Sequence, residues 1–322
     1  MTKTLILLIV LISFMACQQK TGLVPKVASL SLNTPSDSVK LFGEGIISTR
    51  YNERDMAITS NGDELFYSLG TYNQSLRVII HLTKKNNQWA EGEVMSWSGR
   101  NNDIEPFISP DGKSLFFASN RPIAGDTTRE DFNIWVSTKN GDEWTAPIAL
   151  DTIINTKVDE FYPSVGKSKS LYFTAAHPGN NGKEDIYISK MLDGKYKTPV
   201  PLDTNVNSAT YEFNAFVSPS EDTIIFSSYG RKDDLGGGDL YISIKNKEGA
   251  WQKAHNLGSG INSDGLDYCP FIDYPRHTFY FTSNRHPTLK SRIENSTKFK
   301  EMADNTLNGL DNIYVIDLKA VK

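Results

Sequence analysis

The chain has 322 residues with 34 Lys and Arg against 38 Asp and Glu, and no basic cluster tracks a phosphate backbone, which argues against nucleic acid as a partner. Its two cysteines, Cys17 and Cys269, are too few for a disulfide framework, so an apolar core has to hold the fold.

The first elements are export signals. Lys3 gives a positive start, Leu5 to Ile12 is an unbroken apolar run, and Phe14-Met15-Ala16 leads to Cys17, whose thiol can take diacylglycerol. A spanning helix needs about 20 apolar residues, and Gln18-Gln19-Lys20 follows at once. Residues 1–17 are therefore expected to be a bacterial lipoprotein signal peptide with its lipidation site at Cys17, which also removes that thiol from pairing with Cys269. Loss of residues 1–16 takes away Lys3 alone among charged groups, leaving 33 cations against 38 anions and a net charge of −5. Gln18, unlike Asp, does not resemble an inner-membrane retention signal, so the expected location is the outer membrane of the cell envelope, periplasmic or surface-facing. Residues 18–37, with little periodic hydrophobicity, suit a flexible tether.

Residues 38–322 read as one repeating domain. Two short strand-like runs recur together: Met56-Ala57-Ile58-Thr59 with Leu65-Phe66-Tyr67-Ser68, then runs starting at Pro106 and Leu115, Pro163 and Leu171, Ala215 and Ile224, and Pro270 and Phe279. The period of 50 to 57 residues indicates propeller blades. Each unit adds a third β-branched and aromatic run, at Val78, Ile134, Ile186, Leu240 and Ile313. A fourth segment opens with Trp89, Trp144, Tyr196 or Trp251, and the fifth unit lacks it. The stretch Val39 to Ile47 imitates Asn256 to Asn262, so an N-terminal strand is expected to complete the last blade and remove the open edges.

Ser109-Pro110-Asp111-Gly112-Lys113, with Asn120-Arg121 after the next strand, resembles the repeat of TolB-type, WD-repeat-like propellers. Gly237-Gly238-Asp239-Leu240-Tyr241 and Trp251 to Asn262 resemble the rest of that unit. The resemblance covers nearly all of residues 38–322 and is weakest in unit one, where Asn61-Gly62-Asp63 replaces the turn. It implies an all-β propeller. Five four-stranded blades are counted, with six, the usual number in that family, as the alternative.

Every unit carries a carboxylate three residues before its first strand run: Glu53, Asp103, Glu160, Glu212 and Asp267. A feature common to all blades is expected to be architectural, with the carboxylate accepting backbone N–H bonds from the loop entering the blade. Two residues further, on the same side of an extended strand, the blades differ: Asp55, Glu105, Tyr162, Asn214 and Cys269. The doublets Glu53/Asp55 and Asp103/Glu105 can bind Ca²⁺ or perform acid/base work, although solvated charges on a channel rim are the preferred reading and no cofactor is expected. Arg54 is a lone charge at an otherwise apolar position.

Long loops between second and third strands should share one face and bring Arg121, His177, Tyr229, Arg231, Arg285 and His286 to it. The candidate binding set is thus Arg54, Asp55, Glu105, Arg121, Tyr162, His177, Asn214, Tyr229, Arg231 and Arg285. Glu105 and Arg121 are expected to matter for binding and little for stability. Helical spacing of Leu289, Ile293, Phe299 and Met302 predicts a short helix over the channel mouth. No nucleophile elbow, zinc spacing or Asp-box is present, and Cys269 reads as packing. The expectation is a lipid-anchored, non-catalytic envelope scaffold binding protein or glycan. The alternative is a carbohydrate-active hydrolase or lyase using Asp55, Asp103 and Glu105.

Overall fold

The computed structural model describes residues 30–32, 36–123, 126, 128–289 and 291–321. Cys17 and the proposed signal peptide lie outside the described residues, as does most of the tether.

Five antiparallel sheets form five blades around a central channel. The innermost strands are Asn52–Ile58, Asp103–Ile108, Glu160–Val165, Tyr211–Val217 and Asp267–Asp273, each followed outward by a second and a third strand. Apolar runs fill these positions because a strand packed between neighbouring blades is covered on both faces. Leu65, Leu115, Leu171, Ile224 and Phe279, at matching places in the second strands, are all fully buried. The fourth strands are short: Glu93–Val94, Ile148–Ala149, Val200–Pro201 and His255–Asn256. Trp89, Trp144, Tyr196 and Trp251 do not open those strands as expected. They fold back on the end of the third strand, as in the pairing of Trp144 with Lys139.

Blade five is closed by the N-terminal segment. Lys40 pairs with Val315 and Leu41 with Tyr314, Phe42 N–H donates to the Ile313 carbonyl at 2.9 Å, and Ser48 Oγ bonds Ile313 N and O at 3.2 and 3.1 Å. Phe42 and Ile47 are buried, Phe42 edge-on against Tyr280 at 4.9 Å. The matching place in blades two to four is held by Asn155, Asn207 and Asn262. Each accepts from the N–H and donates to the C=O of one third-strand residue: Ile134, Ile186 and Leu240.

All five innermost strands carry a bulge at one place, where the register slips between residues 54 and 57, 104 and 107, 161 and 164, 213 and 216, and 268 and 271. The bulged residues Asp55, Glu105, Tyr162, Asn214 and Cys269 have φ of 58, 61, 47, 50 and 52°. That left-handed conformation is unfavourable for side-chain-bearing residues and persists only where surroundings fix it. At the tight-turn end Phe107, Phe216 and Phe271 of three innermost strands meet, with centroids 6.3 and 5.6 Å apart.

Candidate functional site

The fivefold carboxylates share one geometry. Glu53 accepts from Thr49 N (3.0 Å) and Oγ1, Glu160 from Thr156 N (3.0 Å) and Oγ1 (2.6 Å), and Glu212 from Ser208 N (2.7 Å) and Oγ (2.6 Å). Asp267 accepts from Ser263 N and Oγ, and Asp103 from Ser98 Oγ at 2.7 Å. A Ser or Thr four or five residues upstream is thus tied down in each blade, a spacing visible in the sequence but missed there. All five carboxylates are fully buried.

Blades two, four and five add an arginine. Arg121 bonds Asp103, Ser119 Oγ and the Trp97 carbonyl. Arg231 bonds Glu212, Ser228 Oγ and the Val206 carbonyl, and Arg285 bonds Asp267, Ser283 Oγ and the Ile261 carbonyl. Each guanidinium also lies over aromatic faces, Arg231 at 4.6 Å from the Tyr241 centroid. The expectation that Arg121, Arg231 and Arg285 stand on the loop face apart from the repeated set is therefore corrected: they belong to it. The Ser-Asn-Arg sequences at 119–121 and 283–285 were the available signal. Among the described residues, blades one and three have no such arginine, and burial pushes Glu53 and Glu160 up to about 7 against the opposing hydrogen bonds of Thr49 and Thr156.

The bulged residues converge on the channel as one network. Arg54 donates from Nε to Asp55 at 2.8 Å and from Nη2 to Glu105 at 3.0 Å, and Nη2 stands 3.7 Å from Cys269 Sγ. Glu105 further accepts from Tyr162 N (2.7 Å) and Asn214 Nδ2 (3.2 Å), and Tyr162 Oη donates to the Pro270 carbonyl at 3.0 Å. Arg54 lies 4.9 Å from the Tyr268 centroid. Backbone N–H groups of Asp55, Glu105 and Asn214 reach hydroxyls of the preceding blade, at Thr282, Ser68 and Thr174. Blade two has Ala118 at that place, and the Glu105 carboxylate serves Tyr162 instead. Asp55 and Glu105 are 1% and 4% exposed, which corrects the picture of solvated rim charges and of a Glu105 that matters little to stability.

Electrostatics follow from this burial. Desolvation works against the Arg54 charge, yet Asp55 and its neighbours hold its pKa well above the usual value. Burial raises Glu105 to about 7, with Arg54 pulling the other way. The Cys269 thiol is pushed far up by burial, which keeps it protonated and unreactive. Arg77 and Asp311, missed in the sequence, also act on this cluster, and Arg77 Nε is buried without a hydrogen-bond partner among the described residues.

On the loop face, Tyr229 is 49% exposed, 6.1 Å from Tyr211, and Tyr72 is 50% exposed, 5.2 Å from Tyr51. His177 is half-buried, edge-on to Tyr187 at 4.9 Å. The expected helix forms at Ser296–Ala303, capped by Asn295, but buries none of its residues and leaves Phe299 54% exposed. No group of three or more His, Cys, Asp or Glu that could hold a metal ion occurs among the described residues.

No protein-family profile matches the chain. No curated protein is similar to it in sequence. Solved structures match in fold. One described as a glycoside hydrolase aligns with a TM-score of 0.51 at 11% identity, over 90% of this chain and 90% of that one. A putative TolB from Agrobacterium tumefaciens aligns with a TM-score of 0.49 at 13% identity, over 88% and 86%. An α-L-arabinofuranosidase from Podospora anserina gives 0.46 at 11%, over 88% and 98%. At such identities the likeness speaks to architecture alone, and the five-bladed β-propeller is read from this chain's own sheets.

Proposed function

We propose that this chain is an exported lipoprotein, anchored through Cys17 in the outer membrane, whose propeller binds a protein or glycan of the cell envelope without transforming it. The observation that carries this reading is the state of Asp55 and Glu105. An acid/base pair needs two carboxyl groups about 5 to 9.5 Å apart across an open pocket. Here both are buried and tied to a single guanidinium, and Glu105 holds three hydrogen-bond donors on its two oxygens. The exposed tyrosines on a rigid scaffold support recognition instead, because aromatic faces give contact area at small entropic cost.

The test is capture of cross-linked partners from the native envelope by the full-length protein, beside a screen for glycan cleavage. Capture that weakens in Tyr229→Ala and Tyr72→Ala at unchanged melting supports the reading. Turnover of a glycan that disappears in Glu105→Gln, with the fold intact, would replace it with the hydrolase. A soluble, unmodified mature N-terminus found by mass spectrometry would remove the anchor.

A further inference from the structure

Blade three departs from its neighbours twice on the tight-turn face, and the two departures meet. In blades one, two and four a lysine at the end of the third strand lies over the indole of the segment that folds back on it: Lys84 over Trp89, Lys139 over Trp144 and Lys245 over Trp251, at 5.9, 5.6 and 4.6 Å from the ring centroid. In blade three the same pairing joins Met191 to Tyr196. The turn between its first two strands differs as well. Blade two has Ser109-Pro110-Asp111-Gly112-Lys113 there and blade four Ser218-Pro219-Ser220-Glu221-Asp222, whereas blade three has Gly166-Lys167-Ser168-Lys169-Ser170. Two lysines thus enter a turn that in those blades carries a carboxylate.

A cavity of about 370 Å³ opens where these residues face blade two. Lys167, Lys169, Met191 and Tyr196 all line it, with Ser114 and Phe116 from the second strand of blade two. Between blades one and two the matching positions are tied by charge: Glu64, in the place of Ser114, accepts from Lys139 and from Trp144 Nε1 at 3.0 Å, and stands 3.0 Å from His81 Nε2. Ser114 is too short to make that tie and Met191 has no charge to offer it, so the space keeps apolar walls of Phe116, Met191 and Tyr196. The turn with the lysines is fastened to blade four, where Lys167 N–H donates to the Pro219 carbonyl at 2.9 Å and Ser168 N–H to Glu221 Oε1 at 3.2 Å. Neither ammonium has an ion pair among the described residues, and the nearby carboxylates are committed. Glu221 also takes the Tyr172 hydroxyl at 3.2 Å, and Asp111, in the lining, takes Ser109 Oγ at 2.6 Å and Lys113 N–H at 3.1 Å. Two cations against one carboxylate make this lining net positive in a chain whose net charge is −4.

We propose that this pocket binds a small aromatic carboxylate, with its ring against Phe116, Met191 and Tyr196 and its anion at Lys167 and Lys169. Blades one, two and four build from their own side chains what such a ligand would bring to blade three, a flat ring beside an ammonium group. A thioether and a phenol suit an aromatic face, and the volume lies at the small end of ligand cavities, which fits a one- or two-ring acid. The site is on the face opposite the exposed tyrosines proposed for recognition, so it adds a second ligand and stands or falls without the first.

The probe is indole-3-acetate, titrated into the full-length protein in nonionic detergent and followed by calorimetry and by the amide shifts of Ser168 and Met191, with indole-3-acetamide and acetate as controls. The acid should saturate and bind about tenfold tighter than the amide, and acetate should not saturate. Lys167→Gln with Lys169→Gln should bring the acid down to the level of the amide at unchanged melting, since both side chains are exposed. Met191→Lys with Tyr196→Trp installs the pair of blade two, so it should fill the pocket from within and abolish binding. Equal binding of acid and amide would overturn the proposal, and so would undiminished binding in the lysine variant, which decides the matter if the filled variant fails to fold. Saturation by acetate as tight as by indole-3-acetate would reduce the site to a pair of surface lysines and overturn it too.

Discussion

Two positions in the same strand, two residues apart, follow opposite rules. At Glu53, Asp103, Glu160, Glu212 and Asp267 every blade has a carboxylate, and each closes a loop within its own blade through a Ser or Thr. At Asp55, Glu105, Tyr162, Asn214 and Cys269 the blades have five side chains of which no two are alike, and most of their contacts cross between blades. The first set is local and repeats because each blade solves the same problem. The second meets on one axis, where five copies of a charge could not coexist, so compensation requires difference.

The closing strand gives the sharpest way to break this scheme. A protein beginning at Arg50 would lose the pairing of Lys40 and Leu41, the edge contact of Phe42 on Tyr280 and the buried Ile47. Aggregation and a large drop in melting temperature are expected, measured by light scattering and calorimetry. Next comes the channel. Arg54→Met would leave Asp55 and Glu105 buried without their shared cation, a loss of about 3 to 5 kcal/mol in denaturant unfolding. Asp55→Asn in that background should recover part of it.

Local closures come third. Glu212→Ala removes the acceptor for Ser208, Ser228 and Arg231 and should cost about 1 to 3 kcal/mol, with Arg121→Ala in the same range. An Arg121→Ala protein that melts like the wild type would return that residue to the surface. The smallest effect is on pH. Glu160 has a folded pKa raised from 4.5 to about 7, so its stabilising contribution is complete below the unfolded value and is lost as pH rises through the folded one. Glu160→Gln should flatten the fall in stability between pH 4.5 and 7 and leave the variant more stable than the wild type at pH 8. Comparing variant with wild type isolates this group from His81, whose pKa burial lowers to about 4 and which acts in the opposite direction.

Repetition was what the sequence made legible. Five units, their β character and the strand at Val39 to Ile47 could be read because hydrophobic period and turn residues recur within the chain itself. The central network could not. Asp55 and Glu105 look like surface charges at alternating positions, and only the bulge turns them inward to a guanidinium that, for Glu105, comes from another blade. Arg121 and Arg285 were misplaced for a different reason: each lies 18 residues from its carboxylate, across a hairpin, where local spacing carries no hint of contact. The departure of Met191 and Tyr196 acquires meaning only after the lysine–tryptophan pairs of blades one, two and four are seen in place.

The pairing of Lys40–Leu41 with Tyr314 and Val315 also has a mechanical meaning. A pull on the leading segment meets buried Leu30 and Leu32 and the bond from Asp317 N–H to the Ser36 carbonyl before it reaches this two-residue ladder, the bond from Phe42 N–H to Ile313 and the two bonds of Ser48. During synthesis the same strand waits for its partner, Asn312–Asp317, which is made after the strands of the other four blades. The ring thus latches once, late, at a contact spanning nearly its full length.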